Sequence, residues 1–350
     1  MKKKNIFDKT YYELTGCIHN HSEYSFDGLI SMARIIREAK LRELDYITIN
    51  DHLTKKAKND KSVLKEKDLM VIVGMEINDT KNNHHLLVFN SDEIIKNKEV
   101  EEYTEYYAKA EAIGFVAHPI EKRICSDFRK YEWKKKEVDN FDGIEIWNFL
   151  SEWIGKMKPK CNGLFLVLFP SLFVCKPNRL TLNWWDDLNR SGKRRSAIGS
   201  VDAHTESMKK FGIKFKFLLH RTLYKTIRTN VILDSDKEIN EQNILTAIKN
   251  GNSYIVNYKV GNPYNFFAGI SSKENGSAIF GKEIKYAEDM KFFFRLPSMA
   301  KVSLYRNGEK IATQRHEMGF FKIDQSGNYR LEITRWGRGW IYTNNIFVID

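Results

Sequence analysis

The chain is poor in the residues that staple, break or anchor a polypeptide. It has four cysteines in 350 residues, Cys17, Cys125, Cys161 and Cys175, with no CxxC spacing. A disulfide scaffold is thereby excluded, and the pattern is that of packing residues in a reducing compartment. Six prolines and 20 glycines are too few for a collagenous or linker-dominated chain. The longest apolar run, LFLVLFPSLFVC from Leu164 to Cys175, is 12 residues with Pro170 inside it, well short of the ~20 that span a bilayer. It reads as core or as a lid segment, and no membrane partner is expected. The start, MKKKNIFDKTYYEL, is interrupted by Asp8, Lys9 and Glu13 and offers no secretion-type apolar stretch. A cytoplasmic protein is the expectation. GxSxG, GxxxxGK[ST] and GxGxxG are all missing, which removes the nucleophile elbow, the phosphate loop and the dinucleotide fingerprint.

What is present describes an ordinary globular protein, 42% hydrophobic, 13% aromatic and 29% charged. Lys and Arg total 57 against 45 Asp and Glu, a formal +12 that favours anionic partners. Over the first two hundred residues, β-rich runs alternate with helix-like stretches. The strand candidates are TGCIHN, YITIN, LMVIVGMEI, HLLVFN, GFVAH, GIEIWN and AIGSVDA, several apolar on both faces as buried parallel strands are. Between the first two, SMARIIREAKLREL carries Ser31 as an N-cap and Met32, Ile35, Ile36 and Ala39 at helical spacing. The pattern predicts an α/β class with a parallel sheet. From about Val260 the segments become short, aromatic and turn-punctuated, with Asn307-Gly308 a hairpin signal. Residues 1–258 are therefore read as an α/β domain and 259–350 as a small antiparallel β-sandwich.

Chemistry-bearing residues gather at the ends of the proposed strands. His19 and His21 close the first as His-x-His, where an i, i+2 spacing points both side chains the same way. Asp27 follows in the loop, His52 ends the second strand and Glu76 the third. His84 and His85 open the fourth, His118 ends the fifth, and Asp202 with His204 ends a later one. In α/β barrels the carboxyl ends of strands carry the chemistry. Six imidazoles and three carboxylates converging on one mouth are hard to stabilise without cations, and nitrogen and oxygen donors without thiolates suit zinc, manganese or iron in a hydrolytic cluster.

HNHSEYSFDG, ITINDH, VGMEI, HHLLVFN, AHP, GIEIWN and GSVDAH, in that order, resemble the motifs of the PHP (polymerase and histidinol phosphatase) metallohydrolases across roughly residues 14–256. The order is most similar to the carbaryl-esterase-like (CehA-type) branch, with its appended β-domain. The resemblance implies a distorted seven-stranded β/α barrel with three divalent metal ions. His19, His21, Asp202 and the shared Glu76 would hold the first, Glu76, His85 and His118 the second, and Asp27, His52 and His204 the third. His85 is preferred to His84 because it directly precedes Leu86-Leu87, as the family's histidine does. Glu76, Asp202 and His204 are the expected catalytic groups.

A hydroxide bridging two cations at neutral pH would attack the ester, since metal binding lowers the pKa of water toward ~7. Arg123 with Lys122, Arg194 and Arg195 in a KRR triplet, and Lys209-Lys210 are candidates to grip a phosphate. Asn148 is a candidate substrate-facing residue whose rival role is to cap the next helix, and Asp51 could orient an imidazole. The leading expectation is phosphoester hydrolysis of a small phosphorylated molecule or nucleotide. Carboxylic or carbamate ester hydrolysis is the second, and nucleic-acid binding with exonuclease action the third, although no nucleic-acid motif is present.

Overall fold

Runs that are apolar on both faces form strands that are buried on both faces. Tyr46–Ile49, Leu86–Phe89, Ile113–Val116, Gly143–Asn148 and Ser196–Ala203 expose no residue. The computed structural model describes residues 2–210 and 213–350, and the chain forms two compact units. One comprises Thr15–Asn178 and Gly199–Arg228, the other Met1–Leu14, Arg179–Ile198 and Thr229–Asp350. The units are interleaved along the chain and do not follow the single division at 258/259 expected from the sequence. The hairpin of Lys2–Ile6 with the start of Lys9–Asn20 explains part of the difference. Its Ile6 and Tyr11 belong to the same apolar cluster as Phe292, Leu331 and Trp340.

In the first unit, parallel ladders join Lys9–Asn20 to Tyr46–Ile49 and to Ser196–Ala203, Tyr46–Ile49 to Met70–Val73, and Ile113–Val116 to Gly143–Asn148. Leu86–Phe89 breaks the all-parallel expectation, running antiparallel to Met75–Ile77 on one side and to Ile113–Val116 on the other. Only residues 78–85 separate Ile77 from Leu86, too few for a parallel crossover, which takes a dozen or more. The reversal matters for function. An antiparallel strand presents its first residue where its parallel neighbours present their last, so His85 opens its strand yet faces the same end of the sheet as His118. The helix Met32–Lys40 buries Met32, Ile35, Ile36 and Ala39 as its spacing predicts, while Ser31 precedes it without a side-chain capping bond.

The apolar run at 164–175 corrects another expectation. It forms a short helix, Gly163–Leu168, and a 3-10 turn, Pro170–Leu172. Only Leu166, Pro170 and Val174 are buried, and most of the remaining large side chains are exposed. Leu166 is on the helix, Pro170 in the turn and Val174 beyond both, so each local element turns only part of the run inward. Among the described residues no helix is long and apolar enough to cross a membrane.

The second unit is largely antiparallel. Lys291–Arg306 pairs with Phe267–Ser272, Glu309–Lys322 and Gly327–Arg335, and the last pairs on with Arg338–Thr343 and Ile346–Ile349. Asn307-Gly308 makes the two-residue turn, with φ of 50° and 85°, both positive as the tight hairpin turn requires. The helix Arg179–Arg190 belongs here too. Its Asp186 takes two bonds, 2.7 and 2.8 Å, from the fully buried Arg330, which also reaches Glu332 at 2.8 Å.

Candidate metal centre

The strand ends do not deliver their histidines by simple alternation. His19 has φ 66°, and the ladders on both sides of its strand slip register there, between Cys17 and Asn20 on one side and between Ile18 and Asn20 on the other. This irregularity turns His19 and His21 to one side with ring centres 5.0 Å apart, a job the sequence reading gave to extended i, i+2 geometry. His118 (28°) and Asp202 (50°) also take positive φ. Non-glycine residues in that region carry strain that the surrounding fold must hold, and such positions cluster at functional sites.

Glu76 lies at the centre, 1% exposed. Its two oxygens face different partners. Oε2 lies 3.0 Å from His19 Nε2, 3.2 Å from His21 Nε2 and 3.4 Å from His52 Nε2. Oε1 lies 2.6 Å from His85 Nδ1 and 3.3 Å from His118 Nε2. Asp202 Oδ1 is 3.4 Å from both His19 and His21 and 3.2 Å from His204. Asp27 Oδ2 meets His52 Nε2 at 3.1 Å and His204 Nε2 at 2.9 Å. Thus all nine named residues meet in one cluster. Donor atoms close enough to share an ion occur in three overlapping groups: His21, Asp27, His52 and His204; His19, His21 and Glu76; and His52, Glu76 and His85. His21, His52 and Glu76 each belong to two of them.

Among the protein groups alone, burial would strip these histidines of charge. The carboxylates reverse that for four of them, His21 among them, which Asp202, Glu76 and Asp27 raise against burial and the neighbouring His204. Burial lowers His19, but Asp202, Glu76 and Glu145 outweigh it and hold the imidazole well above its ordinary value. His204 behaves likewise beside Asp202 and Asp27, and His118 rises to about 9 against burial because Glu76 bonds it. Burial wins at His85, which is lowered. It would raise Glu76 and Asp202, yet the surrounding imidazoles hold both well below the carboxylate range. His21 and His204 stack with centroids 4.0 Å apart, a spacing that disfavours charge on both. His21 Nε2 and Asp202 Oδ1 are buried without a hydrogen-bond partner among the described residues. Orphaned nitrogen and oxygen donors with no thiolate nearby fit divalent cations.

A cavity of about 240 Å³ opens on this cluster. It is lined by Asp27, His52, Glu76, His85, His118, Asp202 and His204, by the polar Glu121, Arg123 and Tyr131, and by the apolar Phe26, Leu150 and Ile154. Arg123 donates to Glu121 at 2.5 Å and to the Ser151 carbonyl at 3.1 Å. Asn148 serves two neighbours. Its carbonyl oxygen accepts from Ser151 N at 2.8 Å as a helix cap, and its amide donates to Glu145 at 2.8 Å and Asp202 at 3.1 Å. Its amide group is therefore spent on protein partners. Arg194 and Arg195 belong to the other unit, where Arg194 pairs with Glu283 at 2.8 Å and stacks over Phe347, and the Arg195 carbonyl accepts from Trp185 Nε1. The side chains of Lys209 and Lys210 lie outside the described residues. His84 points away from the cluster, to Asp79 at 2.6 Å. Asp51 binds Ser22 through N and Oγ, both 2.6 Å, and so ties down the loop after His21 without touching an imidazole.

Glu145 is the residue the sequence reading missed. Buried to 1%, it accepts from His19 Nδ1 at 2.9 Å, His118 N at 2.7 Å and the Asn148 amide. Its signal was a carboxylate between isoleucines in a strand buried on both faces, a position no charge occupies without partners.

Residues 18–131 match the PHP domain family. That range includes His19, His21, Asp27, His52, Glu76, His85 and His118 and stops before Glu145, Asp202 and His204. No curated protein sequence matches the chain. Among solved structures, a protein of Bifidobacterium adolescentis provisionally assigned as a metal-dependent phosphoesterase aligns with 13% identity and a TM-score of 0.34, over 53% of this chain and 86% of that one.

Proposed function

We propose that the chain is a metal-dependent hydrolase that cleaves phosphate esters, built on a PHP-type seven-stranded barrel whose motif order is nearest the CehA-type branch. The observation that carries the reading is Glu76, a buried carboxylate whose two oxygens face separate sets of imidazoles over one cavity. Three divalent ions, of zinc, manganese or iron, are the reading the family resemblance implies: His19, His21, Glu76 and Asp202 would hold one, Glu76, His85 and His118 a second, and Asp27, His52 and His204 a third, whereas the donor atoms within reach of one ion also put His21 with the last set and His52 with Glu76 and His85. When bound, such ions lower the pKa of water toward ~7 and neutralise charge on a phosphoryl oxygen. Asp202 and His204 stand at the cavity, where a proton can be taken up or returned as the ester bond breaks. Arg123 lines the cavity with its charge paired to Glu121, and Phe26, Leu150 and Ile154 receive the organic part of a small phosphorylated molecule or a nucleotide end.

That apolar lining also favours a second reading, a carboxylic or carbamate ester as substrate. Assays of p-nitrophenyl phosphate, bis-p-nitrophenyl phosphate and p-nitrophenyl acetate separate the two, run on protein reconstituted with each metal and on Glu76→Gln. Phosphate-ester turnover that Glu76→Gln abolishes supports the first reading, and turnover of the acetate alone supports the second. Fewer than about two bound metals per chain, or full activity in Glu76→Gln, refutes the shared site, since a bridging carboxylate cannot lose one charged oxygen without effect.

A further inference from the structure

The apolar run at 164–175 lines no part of the cavity, and it buries only Leu166, Pro170 and Val174. Leu164, Phe165, Leu168, Phe169 and Leu172 are 66%, 49%, 61%, 48% and 49% exposed, five large apolar side chains within nine residues. Scattered exposed apolar residues are ordinary, but a contiguous patch marks an interaction surface. The flanks are basic: Lys158, Lys160 and Lys176 are exposed and have no acidic partner among the described residues. No Asp or Glu occurs between Glu152 and Asp186.

We propose that this segment docks the protein on the surface of an anionic lipid bilayer, the apolar side chains entering the acyl boundary and the three lysines meeting the headgroups. Charge decides among the occupants. A symmetric contact with a second copy would set lysines near lysines with no carboxylate in the segment to answer them, whereas an anionic bilayer complements both the apolar tip and its basic margins. A mobile lid is disfavoured by the anchoring. Leu166, Pro170 and Val174 are buried, Trp153 Nε1 donates to the Leu166 carbonyl at 3.1 Å, and Lys156 Nζ binds the Phe173 carbonyl. The segment is far too short to span, so it lies on the membrane, with lysine stems reaching up to the headgroups. Trp153 sits on the helix Phe149–Gly155, which also supplies Leu150, Ser151 and Ile154 to the cavity wall.

The test is flotation of the full chain with vesicles of phosphatidylcholine alone or mixed with phosphatidylglycerol, at low and high salt, beside sedimentation of the lipid-free protein. The expected result is binding to the anionic vesicles that weakens with salt. Lys158→Glu/Lys160→Glu should lower it by at least about 25-fold, at roughly fivefold per lysine. Phe165→Ser/Phe169→Ser should lower it at least about tenfold, with circular dichroism confirming that the variant is folded. No flotation of the wild type, or flotation indifferent to both variants, overturns the proposal. A concentration-dependent dimer that Phe165→Ser/Phe169→Ser dissolves, without vesicle binding, overturns it in favour of a second copy.

Discussion

Replacing Glu145 by Gln tests whether the cluster is built to hold cations, because the outcome turns on one proton. Glu145 Oε1 accepts from His19 Nδ1, while Oε2 accepts from the His118 backbone N–H and from the Asn148 amide. With Nδ1 carrying its proton, the Nε2 of His19, 3.0 and 3.4 Å from Glu76 and Asp202, would offer its lone pair to a cation that displaces its other proton. Glutamine has one accepting oxygen. If that oxygen keeps His118 and Asn148, its NH2 faces His19 Nδ1, the imidazole must take the other tautomer, and Nε2 gains a proton where a ligand needs a lone pair. If the amide flips to keep His19, two donors face its NH2 and two buried hydrogen bonds are lost, at about 1 kcal/mol or more each. Either way the variant loses about 1.4–2.8 kcal/mol of metal binding, the ten- to hundredfold typical of a residue that orients a histidine ligand. Chelator competition with zinc or manganese measures this directly, with circular dichroism confirming the fold. Glu145→Gln that folds and binds metal within threefold of the wild type refutes the reasoning.

Arg330→Met leaves Asp186 buried and unpaired, while Glu332 keeps Arg179 at 2.8 Å; the loss should be about 3–5 kcal/mol in urea unfolding, and a change under 1 kcal/mol would refute the assignment. Metal binding should depend on pH. His19 and His204 sit well above their ordinary value and His118 at about 9, so cations must displace their protons. In chelator-treated protein these raised histidines contribute stability that is complete below the unfolded value of ~6.5 and is lost as pH rises toward about 9. Glu76 and Asp202, held low, lose their contribution only in acid. Melting temperatures at pH 6 and pH 9 should therefore fall with pH in the chelator and show a larger gain from added metal at the higher pH. The opposite trend would refute the assignment.

The donors were legible because a histidine or carboxylate at the end of an apolar strand has few roles that need no partner. Their arrangement was less so. Leu86–Phe89 reads like its parallel neighbours, since strand direction leaves no mark in a short apolar run, and only the length of the preceding loop hints at reversal. The irregularity at His19 is silent in sequence because no glycine marks its positive φ. The run at 164–175 misled because hydrophobicity says that a residue can be buried and leaves open whether another element arrives to cover it. Arg194 and Arg195 looked like site residues from their nearness in sequence to Asp202, but the chain passes from one unit to the other within that strand.

By itself the sequence determined the kind of donors, their order and the absence of any rival nucleophile, because these are properties of side-chain chemistry. Tertiary structure decided which oxygen of Glu76 faces which imidazole, how Glu145 selects the tautomer of His19, and that His204 meets Asp27 at 2.9 Å across 177 positions of sequence. Such distances follow from the packing of strands that are remote in the chain. Local propensity cannot encode them, since no residue senses a partner that far away until the fold brings the two together.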